Sequence, residues 1–183
     1  MNNEANTPEP ADAGPAAVAK AERLVGEADE LLATVLGPGE WPATEVTERF
    51  LSEGKLDRVL GLYGQAIRLD PTEPAYPWNL ASALNRLGLN DLALGFISRA
   101  IHLAEKSGDS EWSGPDAQLA LAEVAIDAGE HDLALTALAH AQADDQRNGR
   151  AAQIEDLLKE VRNERDDPRP QTSLASLLEQ LPA

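Results

Sequence analysis

Cysteine is absent from the chain, methionine occurs once, and aromatic residues make up only 4% of it. Without thiols there can be no disulfide and no thiolate metal site, although a secreted location stays open. With so few aromatics, and no run of Val, Ile and Thr alternating with polar residues, strand faces have little to pack with. Ala and Leu are abundant instead, and they suit helices that approach closely. An all-α fold is expected. Nothing comes near the ~18 consecutive apolar residues of a membrane span. The opening "MNNEANTPEPADAGPAAVAK" lacks the charged-then-apolar order of a secretory signal. A cytoplasmic protein with no membrane contact is expected.

Positive charge is scarce as well, with 15 Lys and Arg against 32 Asp and Glu and a net charge of −17. A surface this acidic repels nucleic-acid phosphates and anionic lipid, and it favours basic or neutral proteins. Solubility alone is an equally good account of the charge, since net charge governs association and not fold. The 183 residues suffice for one domain with a real core.

Catalytic signatures are missing too. There is no H-E-x-x-H, no G-x-S-x-G, no G-x-x-x-x-G-K-[ST] and no dinucleotide glycine fingerprint. The imidazoles are His102, His131 and His140, and the last two are nine positions apart. Two ligands on one helix face need a spacing of three or four. His131 falls in the turn "GEHD", where solvation is expected, and His140 falls on an outer helix face. Carboxylate runs such as "ERDD" read as solvated faces. No metal, no cofactor and no enzymatic activity are expected.

Organisation is what the chain does have. Residues 1–14 hold nothing to bury and read as a disordered acidic tail. An N-terminal helix is predicted over 15–37, with Val18, Leu24, Val25, Ala28, Leu31, Leu32, Val35 and Leu36 at helical steps. Pro15 suits its first turn, and "GPGE" stops it. Next, "FLSEGKLDRVLGLYGQAI" (50–67) lies over "LNRLGLNDLALGFISRAI" (84–101) without a gap, 34 residues on. Gly54 meets Gly88, Leu60 meets Leu94, Gly61 meets Gly95, and Ala66-Ile67 meets Ala100-Ile101. A further copy, "AIDAGEHDLALTALAHAQ" (125–142), follows at an offset of 41, the extra residues falling in or near "EKSGDSEW". Repetition at this period marks a helical solenoid.

These residues resemble the tetratricopeptide repeat family. Val46, Leu80 and Leu121 match its large apolar place, and Thr47, Ala81 and Ala122 its small one. Gly54, Gly88 and Gly129 match the inter-helix turn; Val59, Ala93 and Ala134, then Ala66, Ala100 and Ala141, match the thin face of the second helix. "LDP" at 69–71 closes the first copy with the family's usual Pro, which the last copy lacks. Thr47 and Val59 are bulkier than the family's Gly or Ala. The resemblance implies a right-handed superhelical α-solenoid of antiparallel helix pairs. Three repeats (40–73, 74–107 and 115–148) would fill 40–146, with a capping helix over 149–165. A linker and a short amphipathic helix would occupy 166–183, with Leu174, Leu177, Leu178 and Leu181 on one stripe. That stripe can cap the fold, occupy the groove or self-associate.

In such a solenoid the first helix of each pair lines a concave groove. The resemblance implies four columns there. Thr44, Trp78 and Leu119 form one; Glu48, Ser82 and Glu123 another; Leu51, Asn85 and Ile126 a third; Ser52, Arg86 and Asp127 a fourth. Asn79 matches the family asparagine that often bonds a peptide backbone. Trp78 is either an anchor for a ligand or packs on the inserted loop or against its neighbour repeat, and Asn79 is either a ligand contact or a local helix cap after Pro77. Relatives that grip the C-terminal carboxylate of heat-shock chaperones carry basic residues where this chain has Thr44, Glu48, Asp116 and Ala120, so that use is not expected. The groove composition suits a basic or amphipathic protein segment. A non-enzymatic scaffold or adaptor is the leading expectation. A dedicated cytoplasmic chaperone, similar in layout to those of bacterial secretion translocators, comes second, and a regulatory subunit of an enzyme third.

Overall fold

The computed structural model describes residues 13–37, 42–144 and 150–166. The expectations for the acidic tail, save its last two residues, and for the Leu174–Leu181 stripe lie outside them. The described residues form α1 (Pro15–Ala33), α2 (Thr44–Ser52), α3 (Lys55–Leu69), α4 (Ala75–Arg86), α5 (Asn90–Ser107), the one-turn α6 (Ser110–Ser113), α7 (Pro115–Asp127), α8 (His131–Asp144) and α9 (Ala151–Asp166). No strand occurs among them. The fold is all-α, as the composition predicts.

Local chemistry explains most boundaries. Pro15 and Pro115 open α1 and α7 behind Gly14 and Gly114, where a missing N–H costs nothing. The Glu73 carboxylate accepts the Ala75 N–H at 2.9 Å at the start of α4, and Asp109 accepts the Glu111 N–H at 2.9 Å at the start of α6. A Cβ on Gly114 would lie 2.5 Å from the Ser110 carbonyl oxygen, so the step from α6 to α7 requires glycine. Gly54, Gly88 and Gly129 follow α2, α4 and α7 with φ of 66°, 74° and 73°. After α4, the Gly88 N–H donates to the Asn85 carbonyl at 2.8 Å and the Leu89 N–H to Leu84 at 2.9 Å. After α7, Gly129 donates to Ile126 and Glu130 to Ala125, both at 2.8 Å. The two turns are the same hydrogen-bonded device, and each satisfies carbonyls that the helix end leaves open.

Packing repeats with the sequence. The closest helix contacts are α4 with α5, α7 with α8, and α1 with α3. Ala81 and Ala122 on α4 and α7 are 0% exposed, as are Ala93 and Ala100 on α5 and Ala134 and Ala141 on α8. Residues without long side chains let helix axes draw together at their contact. On α3, Val59 and Ala66 are sealed in the same way.

The front of the molecule departs from this regularity. Leu80 and Leu121 are 1% and 7% exposed, but Val46 is 39% exposed. Helix α2 spans only nine residues and buries only Phe50. Beside α3 the main partner is α1, which brings Ala21, Val25, Ala28 and Leu32 into the core. The Tyr63 hydroxyl donates to the Asp29 carboxylate at 2.6 Å, and Arg58 pairs with Glu27. With α1 in that position, Val46 has no core to enter.

Candidate functional site

Helices α2, α4 and α7 carry the residues that the sequence aligns into columns. Thr44, Glu48 and Ser52 are exposed on α2, Asn79 and Ser82 on α4, and Glu123 and Asp127 on α7. Leu51, Trp78, Asn85 and Arg86 are half-buried. Leu119 and Ile126 are core residues, 3% and 4% exposed. Helix α7 touches α5, α6, α8 and α9, and that enclosure removes two of the expected apolar contacts from the surface. Polar and acidic groups therefore dominate what α7 presents.

The two readings of Trp78 and of Asn79 meet specific geometry. The Trp78 and Trp112 rings stand edge to face, with centroids 5.2 Å apart and planes at 70°, the arrangement that opposed ring quadrupoles favour. Trp78 thus packs on the insertion, holding α6 against α4. Asn79 sits one turn inside α4, and the first-turn donor at Ala75 is met by Glu73. The cap is supplied without Asn79, whose side chain points to solvent. Arg86 reaches back and donates to the Gly37 carbonyl just after α1, which accounts for the one basic residue among the columns.

Two acids of α7 have partners that sequence spacing did not reveal. Arg150 Nε and Nη2 donate to the two carboxylate oxygens of Asp116, both at 2.5 Å. Three residues on, Gln153 Nε2 donates to Glu123 Oε1 at 3.2 Å. The Arg150 hydrogen bonds hold the Asp116 carboxyl below its usual range. Arg150 is 19% exposed in its side chain, against 75% for Asp116. Asn90, at the start of α5, donates to the Asp127 carbonyl at 2.8 Å and ties α5 to the end of α7.

His102 and His140 are exposed, whereas His131 begins α8 half-buried with its Nε2 shielded from solvent. The solvated turn expected for His131 is instead the first turn of a helix. Among the described residues no three His, Asp or Glu side chains gather as metal ligands. None of their helices is long and apolar enough to cross a membrane. No family model and no curated protein matches the chain.

Proposed function

We propose that the chain is a non-enzymatic protein-interaction module of tetratricopeptide type. Its antiparallel helix pairs stack as a right-handed α-solenoid and hold a basic or amphipathic protein segment against an acidic face. The observation that carries this reading is the equivalence of positions 34 and 41 residues apart. Ala81 and Ala122, Ala93 and Ala134, and Ala100 and Ala141 share the same complete burial, and Gly88 and Gly129 the same turn.

Side-chain partners add support. Glu27–Arg58, Asp29–Tyr63, Asn90–Asp127, Asp116–Arg150 and Glu123–Gln153 join residues 31, 34, 37, 34 and 30 positions apart. Contacts at about one repeat length are what stacking neighbour on neighbour produces. Thr44, Glu48, Ser52, Ser82, Glu123 and Asp127 are the exposed column residues with which a partner would meet this face, with exposed Asn79 beside them. A surface of net charge −17 draws basic segments by long-range attraction, which falls as salt rises.

The test is binding of the full chain to an array of helical and extended peptides with and without Lys and Arg. Basic amphipathic peptides should bind, and Glu48→Arg or Asn79→Ala should weaken binding several-fold while helicity holds. Wild-type affinity in both variants would remove the columns from the binding surface. Capture of one secreted client alone would favour the dedicated chaperone.

A further inference from the structure

We propose that the first turn of α9 is a displaceable latch, lying on the acidic side chains of α7 that a partner's arginine would engage. This rests on the proposed binding of basic segments, and it names the group recognised and what stands in its way.

Asp116 and Glu123 are seven positions apart on α7, two turns along one stripe. Arg150 and Gln153 are three apart and meet them from the start of α9, Arg150 as the residue just before the helix and Gln153 in its first turn. The Arg150–Asp116 contact is bidentate, the planar fork-to-carboxylate geometry that distinguishes arginine from lysine. The chain itself thus displays the chemistry these acids accept. A segment offering a guanidinium to Asp116 in this same bidentate geometry must replace Arg150.

The two ends of α9 are held differently. Ile154 and Val161 are 3% and 0% exposed and seat its body in the core, largely against α8. Its first turn is held to α7 by polar contacts, in which the Asp116 carboxylate stays mostly in water while the Arg150 side chain is 19% exposed. A carboxylate that water reaches can exchange one cationic partner for another, whereas buried apolar contacts have no such alternative. The first turn can therefore lift while Ile154 and Val161 remain seated. Partner binding and latch opening are then coupled, each favouring the other.

The test uses the full chain with hexa-arginine as probe and hexa-lysine as its comparison. Four forms are needed: wild type, Arg150→Gln, Arg150→Gln with Asp116→Asn, and Arg162→Gln. The last makes the same charge change on an exposed site of α9. In Arg150→Gln, exchange of the amides of 154–156, whose bonds run back to the first turn, should quicken about tenfold, with α7, α8 and the end of α9 unchanged. Hexa-arginine should bind that variant at least threefold more tightly than wild type or Arg162→Gln. The gain should be smaller for hexa-lysine and absent once Asp116 is Asn. Saturating hexa-arginine should raise wild-type exchange over 154–156 to the Arg150→Gln level. Equal affinity in wild type and Arg150→Gln, or equal gains in Arg150→Gln and Arg162→Gln, would overturn the latch while leaving the acidic binding face standing. No binding of either peptide to any form would overturn both.

Discussion

Replacing glycine by alanine should have opposite effects at two positions seven residues apart. Gly88 has φ of 74°, and a Cβ there would meet nothing within 4 Å. The substitution is thus free of collision and carries only the backbone penalty of the left-handed region, ~1–2 kcal/mol for an L residue. Alanine also restricts the unfolded chain, which returns about 0.4–1 kcal/mol. The net expectation for Gly88→Ala is a loss of about 1 kcal/mol. Gly95 lies inside α5, and its Cβ would also meet open space. There alanine gains by helix propensity, ~0.8–1 kcal/mol. The two variants should differ by about 2 kcal/mol, or roughly 4–8 °C in melting temperature for a chain of this size. Thermal and urea melts followed by circular dichroism at one pH would measure both. The repeat supplies an internal control, because Gly61 is exposed inside α3 with the same open surroundings and should behave like Gly95. A shift of the same sign at Gly88 and Gly95 would refute the reasoning, since volume and composition change identically at both.

Three further outcomes follow from named contacts. Tyr63→Phe should cost about 1 kcal/mol through the lost bond to Asp29. Burial first and Asp29 second push the Tyr63 hydroxyl well above its ordinary value of 10.0. The folded chain holds that proton more tightly, so the stability Tyr63 supplies is complete below about pH 10 and declines above it. Melting temperatures should fall more steeply with alkalinity in wild type than in Tyr63→Phe, and parallel declines would exclude this origin. Ala122→Leu forces a long side chain into a place that is 0% exposed and should cost about 1–3 kcal/mol or more by overpacking, read from urea melts; a change under ~0.5 kcal/mol would mean that α7 has slack there. Trp112→Leu removes the edge-to-face partner of Trp78 and should cost about 1 kcal/mol, read from urea melts; unchanged stability would mean that the ring pair contributes nothing to holding α6.

The helices were legible because their signals are local. Pro15 and Pro115 mark starts, and Gly54, Gly88 and Gly129 mark turns whose φ lies between 66° and 74°. Alanine at 81, 93, 100, 122, 134 and 141 announces close approach before any coordinates are known, and all six are 0% exposed. The unusual front was not legible. Val46 occupies the same place as Leu80 and Leu121 in the alignment, yet stays 39% exposed. Periodicity identifies a helix with an apolar side but does not say which neighbour takes that side. Two amphipathic helices, α1 and α2, precede α3, and the longer one holds it. Nine partly or fully buried apolar residues from Val18 to Leu36 outweigh what nine residues of α2 can bury.

For the site, the limit was pairing. Sequence alignment put Asp116 and Glu123 on one face of α7 but could not show what lies opposite them. Arg150, just before α9, and Gln153, in its first turn, lie 34 and 30 residues downstream and belong to no repeated motif. The same holds for Trp78, whose partner Trp112 arises from the inserted residues that break the 34-residue period. Neither contact has a counterpart in the other copies, which hold Thr44 and Leu119 at the place of Trp78 and Ala75 at the place of Asp116. Both bear on the predicted columns, one through the Trp112 ring against Trp78 and the other through the Gln153 amide on Glu123, beside the Arg150–Asp116 pair. The features peculiar to this chain therefore lie where its repeat is interrupted and where it ends. Selectivity should reside at those two places. Variants of Trp112 and Arg150 should change which peptides bind, whereas variants of Glu48 should change mainly how strongly all basic peptides bind and how steeply binding falls with salt.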